Sequence, residues 1–473
     1  MDNNEFRTQA HRLVDWMADY WENVEKYPVM SPVSPGEIKK QLPQEPPHEG
    51  ISFDKTFADF EKIIMPGVTH WQHPSFFAYF PSNATPPSIL GEMLASALAV
   101  QGMIWQTSPS AAELEEIVMK WLARMIGLPD GFEGVIQDTA STAGLVSLLT
   151  AREKKSDFQI NRRGFSGNEK FIVYSSAETH SSIEKDVKIA GFGSDNLRKI
   201  EVDDNFAMIP EKLAEAIQED LNNGLTPLAV IATLGTTGST AIDPLKEIGE
   251  ICRRHDIWLH VDAAFGGTAL ILPEFRYMID GIDKVDTFVF NPHKWLGVNF
   301  DCTAYFVRDK GALIRTFEIM PEYLKTGQDA VVNNYRDWGI QLGRRFRALK
   351  LWFVLSSYGI SGLQKIIRRH IEIGQWLKNQ VDAAHDFELL APVPFNLVCF
   401  RYHPDGIKDE NRLDNLNARL VDAVNATGKI FLTHTKLKGR YTVRLVAGQY
   451  RVEKRHVETA WDLIRETASK LTV

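Results

Sequence analysis

Lys294 is the residue in this chain best placed for covalent chemistry. It follows the apolar run Thr287-Phe288-Val289-Phe290 and the polar knuckle Asn291-Pro292-His293. The run reads as a short buried strand. Pro292 ends it, because proline lacks the ladder N–H and biases its predecessor away from helix. A lysine just past a strand end and among aromatics is partly desolvated, which lowers its pKa from ~10.4 and frees a neutral, nucleophilic amine. Taken alone, the stretch is an even choice between that nucleophile and a solvated turn lysine. Three further stretches share its form. Trp258-Leu259-His260-Val261-Asp262-Ala263-Ala264 delivers a carboxylate at the end of an apolar run. Buried, Asp262 needs a cationic partner: a structural arginine or lysine, or a protonated heterocyclic nitrogen, with Ala264 small enough for a flat ring to lie against the backbone. Ala177-Glu178-Thr179-His180 offers an imidazole to stack on such a ring, although a lone histidine there is more often structural. Gly134 to Gln137 is followed by Asp138-Thr139-Ala140-Ser141-Thr142-Ala143-Gly144 and a helix. Free N–H groups and the dipole at that helix start suit a phosphate; the plainer reading is that Thr139 or Ser141 caps the helix.

The surrounding pattern says what must position these residues. From Gly134 to about Val307, short β-branched runs alternate with helical ones. Strands are expected at 134–137, 171–174, 229–234, 257–261, 287–290 and 304–307, with a clear helix over Pro244 to His255. That alternation marks a mostly parallel sheet with helices on both faces, whose strand ends converge on one crevice. Asp262 and Lys294 are separated by 32 residues (294 − 262), room for one crossover and the next strand. An anion cradle, a partner for a protonated ring nitrogen, a ring-stacking group and a Schiff-base lysine are together the requirements of a pyridoxal phosphate site. Each signal is weak; the ordered set is strong.

Outside this block the chain opens with an amphipathic helix, with Phe6, Ala10, Leu13, Val14, Met17, Trp21 and Val24 at three- and four-residue intervals. A proline-rich arm follows through Pro47, extended and suited to wrap a neighbouring domain or a second subunit. The aromatic stretch Thr69 to Pro81 is either core or the wall of a pocket for a flat ligand, core being favoured on composition. Ser88 to Ile126 is helical with a break near Pro109, Met320 to Asp337 reads as a mobile loop, and helices are expected at 343–358 and 362–383. Alternating strands at 396–402 and 441–446 and a final helix over 452–470 make a smaller α+β domain.

Bulk composition narrows the function. The chain has 473 residues, 44% of them hydrophobic and 24% charged, as in ordinary soluble globular proteins, and enough length for two or three domains. A net charge of −8 gives no electrostatic footprint for nucleic acid or an anionic membrane. Cys252, Cys302 and Cys399 are scattered, which argues against a disulfide framework or a zinc site and fits a reducing compartment. The first residues lack the charged start and apolar core of a signal peptide, so a cytoplasmic enzyme is expected. There is no GxxxxGK[ST], and Gly191-Phe192-Gly193 lacks the third glycine of a dinucleotide fingerprint. A different pyridoxal enzyme, an aminotransferase or a desulfurase, would share the lysine and aspartate but usually needs an arginine for a retained carboxylate. A scaffold protein with a decayed site is disfavoured because every expected site position is filled.

The chain resembles the group II pyridoxal-phosphate-dependent amino acid decarboxylases, and most closely the aromatic L-amino acid decarboxylases. The likeness runs nearly end to end, through Lys62 to Trp71, Phe76 to Pro81, Thr233-Leu234-Gly235-Thr236-Thr237, Ile257 to Ala264, Asn291 to Leu296 and Gly343-Arg344-Arg345-Phe346-Arg347. The resemblance implies a fold-type-I enzyme: a mostly parallel seven-stranded sheet flanked by helices, an N-terminal helical arm (1–85) swapped in a homodimer, a large cofactor domain (86–360) and a small C-terminal domain (361–473). By matching motif, Lys294 would carry the cofactor, Asp262 would pair with its ring nitrogen, His180 would stack on the ring and Ala264 would lie beneath it. Thr237 would support the histidine and a cofactor oxygen. Thr139, Ala140, Ser141, Asn291 and His293 would hold the phosphate, with Thr139 standing where the family often has serine. Trp71, Tyr79, Phe80 and Pro81 would line the substrate pocket. Met103, from the other subunit, stands there where relatives often carry phenylalanine. Gly343, where some tyrosine-preferring relatives carry serine, leaves room for an indole. The resemblance also assigns Tyr323, on the 320–337 loop, as the proton donor that completes decarboxylation. Members that form aldehydes typically replace that tyrosine with phenylalanine or change the stacking histidine; this chain keeps both. The expected reaction is decarboxylation of tryptophan or hydroxytryptophan, with dopa or phenylalanine as further substrates.

Overall fold

The computed structural model of the chain describes residues 1–319 and 331–471, and Tyr323 lies outside them. The described chain forms two compact units, Ser82–Gln375 with Leu390–Cys399, and Met1–Pro81 with Trp376–Leu389 and Phe400–Val473.

The first unit is built on seven strands: β1 (Glu133–Gln137), β2 (Phe171–Ser176), β3 (Leu197–Ile200), β4 (Thr226–Thr233), β5 (Trp258–Asp262), β6 (Thr287–Phe290) and β7 (Thr303–Val307), in the order β1-β7-β6-β5-β4-β2-β3. β7 runs antiparallel to both β1 and β6; the other pairings are parallel. Every residue of β2, β5, β6 and β7 is buried. That is why these strands read as continuous apolar runs: helices cover both faces of the sheet. Six of the seven match the expected runs within a few residues. The seventh, Leu-Arg-Lys-Ile in β3, is a short edge strand at the end of the sheet with only its last residue buried.

The helix Ala140–Lys155 lies over the middle of the sheet. Ser147 reaches Thr287 of β6 at 2.7 Å and accepts a hydrogen bond from the Trp258 indole of β5 at 2.9 Å. Leu148 and Ala151 join Val173, Ala229 and Ile231 in one fully buried cluster. The later helical pattern resolves as Arg347–Ala383 with a break at Gly359, whose φ of +59° is left-handed and suits a residue without a Cβ. In the segment expected to be a mobile loop, Tyr335, Arg336 and Asp337 form a buried 3-10 turn followed by buried Trp338. The polar composition misled, because Arg336 pairs with its neighbour Asp337 at 3.1 Å and Tyr335 packs against the Trp338 ring at 5.1 Å.

In the second unit, β8 (Phe387–Leu389), the Phe400–Tyr402 end of β9 (Leu397–Tyr402), β10 (Thr433–Leu437) and β11 (Arg440–Val446) belong to a sheet of order β10-β11-β9-β8. The helices Glu410–Asn425 and Lys454–Lys470 belong to the same unit. The first helix, Asn3–Asn23, carries an N-cap from Asp2 and buries none of its residues; Phe6 is 61% exposed. From the proline-rich arm, Val29 is fully buried against Phe76 and Ala78. No helix among the described residues is long and apolar enough to cross a membrane.

Candidate functional site

The carboxyl ends of β4, β5 and β6 and the start of the Ala140–Lys155 helix bring the expected cofactor residues together. Asp262 is the last residue of β5 and is buried. Its carboxylate accepts the Ala264 N–H at 3.0 Å, which bends the chain out of the strand and sets Ala264 beside it. The Ala264 carbonyl in turn accepts the Asn291 N–H at 3.0 Å, so the two strand ends are stitched to each other.

Lys294 sits in the single helical turn Pro292–Trp295. Two neighbours hold that turn. The Asn83 side chain donates to the Lys294 carbonyl at 3.0 Å, and Trp295, fully buried, stacks on Phe265 at 4.7 Å while its N–H donates to His370 at 2.9 Å. After it, Gly297 adopts a φ of +80° with Thr85 so close that a Cβ would lie 2.8 Å from its methyl carbon, and the Thr85 hydroxyl donates to the Gly297 carbonyl at 2.7 Å. Burial lowers the Lys294 pKa below the ordinary lysine value, opposed by the nearby Asp262 charge. This is the arrangement in which a lysine becomes a nucleophile near neutral pH.

His180 is exposed on the loop after β2. Its Nδ1 accepts the Ser182 N–H at 3.2 Å and lies 2.8 Å from the Ser182 hydroxyl, which leaves the ring hydrogen on Nε2. Burial on its inner side and the Lys294 charge lower its pKa, while Asp262 raises it. His180, Asp262 and Lys294 therefore lie within electrostatic reach of one another. His293 is fixed in the same tautomer by a different backbone: its Nδ1 accepts the Cys302 N–H at 3.0 Å, and burial lowers its pKa to about 3.

The start of the Ala140–Lys155 helix holds a cap and, beyond it, open amides. Thr139 does cap the helix, its hydroxyl accepting the Thr142 N–H at 3.3 Å, and its own N–H donates to Asp138 at 2.6 Å. The N–H groups of Ala140 and Ser141, in the first turn of a 16-residue helix, have no partner among the described residues. Thr303 joins this loop to the lysine knuckle: its hydroxyl lies 3.0 Å from the Asp138 carbonyl and 2.9 Å from the Asn291 side-chain oxygen. Thr237 sits partly exposed in the turn after β4, where Gly235 (φ +97°) donates to the Ala241 carbonyl at 2.8 Å. Two free amides on a helix dipole, an acid at a strand end, a small residue beside it, a flat neutral imidazole and a lysine of lowered pKa fit pyridoxal phosphate.

Residues expected in the substrate pocket fall in both units. In the first, Met103 and Gly343 are neighbours: the Gly102 N–H donates to the Arg344 carbonyl at 2.9 Å, and the Met103 carbonyl accepts the Arg336 N–H at 2.9 Å. A Cβ on Gly343 would meet Gln101 at 3.3 Å. In the second, the aromatic stretch is both core and surface. Phe76 and Phe77 are buried, Phe80 and Pro81 nearly so, while Trp71 and Tyr79 are exposed and stack on each other at 5.8 Å. Tyr79 has a φ of +54° and donates its N–H to Thr433.

Sequence reasoning passed over Asn83, Ser182 and Thr303, which hold site residues without having chemistry of their own. Asp138 had a legible signal, an aspartate directly before a capping threonine; the others had none.

Residues 35–403 match the pyridoxal-dependent decarboxylase conserved domain. The chain is 44% identical over its whole length to tryptophan decarboxylase 2 of Oryza sativa, covering 96% of that protein, and 44% identical to tyrosine decarboxylase 2 of Narcissus pseudonarcissus, covering 95% of it. Among solved structures it is similar to Oryza sativa TDC with pyridoxal phosphate and tryptamine (TM-score 0.96, 37% identity, 99% of both chains). It is likewise similar to Catharanthus roseus tryptophan decarboxylase with L-tryptophan (TM-score 0.94, 40% identity, 100% and 99% of the two chains). The fold-type-I sheet, the cofactor site at its strand ends and a match spanning most of the sequence have one meaning: the chain belongs to the family of pyridoxal-dependent decarboxylases.

Proposed function

We propose that this protein decarboxylates an aromatic L-amino acid to the arylalkylamine and carbon dioxide, accepting tryptophan or 5-hydroxytryptophan alongside dopa or phenylalanine. The observation that carries the reading is the joint placement of Lys294, Asp262, His180 and the Thr139–Ser141 cradle in a member of this family. Likeness to tryptophan and tyrosine decarboxylases supports the aromatic class.

Bound pyridoxal phosphate supplies an electron sink for the bond that breaks at the substrate Cα. The protein's residues do the rest. Lys294, with its lowered pKa, would hold the cofactor through its neutral amine. Asp262, a carboxylate at that strand end, would keep the cofactor's ring nitrogen protonated. His180 would stack on the ring and present its Nε2 hydrogen. The amides of Ala140 and Ser141, with Thr139, Asn291 and His293, hold the phosphate; Thr237 supports the ring oxygen and His180. The aromatic side chain would be met by Trp71, Tyr79, Phe80 and Pro81 and by Met103 of the other subunit, and Gly343 would leave room for an indole. Tyr323 returns a proton from its hydroxyl to Cα. The enzyme works as a homodimer with the N-terminal arm exchanged, a reading supported by a first helix with an apolar stripe and no buried residue. Three buried free thiols fit a reducing cytoplasm.

Likeness to phenylacetaldehyde synthase of Arabidopsis thaliana (44% identity) keeps an aldehyde-forming outcome in view. Tyr323 and His180 favour the amine. Incubating the holoenzyme with a panel of amino acids and identifying the products tests both points. Tryptamine and carbon dioxide from tryptophan are expected; activity on glutamate or histidine alone, or aldehyde as the sole product, would overturn the reading.

A further inference from the structure

One buried acid beside the site has no role in that chemistry. Asp186 lies on the helix Ser182–Ile189, which begins two residues after His180 and at the same serine that fixes the His180 ring. It is 2% exposed, and its Oδ2 has no hydrogen-bond partner among the described residues. The carboxyl packs on the cradle helix: a Cβ on Gly144 would lie 2.7 Å from Oδ2, so glycine is what lets the two helices close over this acid. Three residues further along the cradle helix, Ser147 ties it to Thr287 and Trp258. Asp186 thus sits between the helix that presents the phosphate amides and the helix that follows His180.

An unpaired buried carboxyl is costly when ionised and is normally paired or kept neutral. Its surroundings do not pair it. The charged groups that act on it are Asp262, at the end of β5, and Lys185, its neighbour on the same helix; the cradle helix offers Gly144 and no charge there. Burial, reinforced by Asp262, raises its pKa to about 7, and Lys185 only partly opposes this. An acid buried without a hydrogen-bond partner on one oxygen, as here, holds its proton to higher pH than an exposed carboxyl does.

We propose that Asp186 is a positioning residue that tunes the charge of the cofactor site: as a neutral acid it lets the two helices pack, and once ionised it adds a second negative charge within electrostatic reach of Asp262. This rests on the reading of Asp262 as partner of the cofactor's ring nitrogen. The added charge favours cations in the site, on that nitrogen and on the cofactor-bound nitrogen of Lys294, and so holds the protonated forms to higher pH.

The test is a pH titration of the cofactor's visible absorbance in the holoenzyme, for wild type, Asp186→Asn and Asp186→Ala. A neighbouring charge shifts such a midpoint by about half a pH unit or more, so both variants should titrate lower than wild type by that amount, and cofactor affinity should differ from wild type more at pH 8 than at pH 6. The alanine variant, smaller and apolar, relieves the contact with Gly144 and keeps the test open should the asparagine variant fold poorly. Coincident midpoints in any folded variant, with affinities in a constant ratio across pH, would overturn the inference. A wild-type protein that binds no cofactor, or binds it without the lysine-linked absorbance, would instead overturn the reading of the site itself.

Discussion

The lysine knuckle, Asn291 to Gly297, and the aromatic stretch, Thr69 to Pro81, are the two regions richest in site candidates, and they are built in opposite ways. The backbone around Lys294 is held at several points: Asn83 on its carbonyl, Ala264 on the Asn291 amide, Thr85 on Gly297, and a stacked tryptophan beside it. The aromatic stretch instead buries the continuous run His73 to Ala78 and leaves Trp71 and Tyr79 as a paired, exposed surface. A covalent attachment point tolerates little positional error, since small misplacements are felt strongly in the rate. A surface for an aromatic side chain gains mainly from area and shape. The contrast predicts that changes at the knuckle abolish function while changes in the aromatic stretch regrade it.

The largest expected effect is at Lys294. Lys294→Ala should lose turnover and the lysine-linked absorbance together, and a variant retaining either would remove Lys294 from its role. Asp262→Asn should bind cofactor yet lose on the order of a hundredfold or more in kcat, as expected for an electrostatic partner of the developing charge; a tenfold loss or less would mean the acid is structural. On the other side of the comparison, Trp71→Ala should lower kcat/KM for tryptophan by roughly ten- to a hundredfold, from ~1–3 kcal/mol of lost aromatic contact, with the cofactor spectrum unchanged. Equal losses for small and large amino acids would separate Trp71 from substrate recognition. Gly343→Ser, which presses on Gln101 at 3.3 Å, should shift the tryptophan to tyrosine preference by only a few fold, seen in competition assays.

The smallest effect concerns pH and stability. His293 is buried neutral with its pKa lowered to about 3, below its unfolded value. Between pH 6.5 and 3 the unfolded chain binds the extra proton, so the stability His293 contributes is complete above pH 6.5 and is lost as pH falls through that window. From this ring alone the loss at pH 5 is roughly 2 kcal/mol relative to pH 6.5. The destabilisation of His293→Gln relative to wild type, measured by urea unfolding, should therefore shrink between pH 7.5 and pH 5. A gap that stayed constant would mean His293 is not held neutral.

What could be read before the structure follows the same division. The strands β2, β4, β5 and β6 were legible because burial on both faces demands unbroken β-branched and apolar runs. β3 was not, because an edge strand may carry Arg198 and Lys199 without cost. Lys294, Asp262 and His180 were legible as a set, each placed just after such a run. Asn83, Ser182 and Thr303 were not, because their roles consist of reaching a residue distant in sequence or turning a ring, and an asparagine, serine or threonine does that in many settings. The 335–338 turn was misjudged for a related reason: Arg336 and Asp337 look solvated in sequence, but each supplies the charge that allows the other to be buried. Asp186 lay within a helix pattern whose polar positions are ordinarily exposed, and its burial depends on a glycine 42 residues away (186 − 144).

Trp295 bears on how the enzyme is assembled. Lys294 and its indole neighbour share one short turn, and that indole is clamped between Phe265 and His370. Swinging the turn to carry the amine outward would tear a large ring from its bed, at ~3–5 kcal/mol if the ring's packing were lost. The anchor is thus a fixed mooring with a flexible line: only the lysine's own methylene chain can travel. Loading the cofactor then becomes a matter of the small molecule finding the berth, and the backbone here should superimpose before and after it docks.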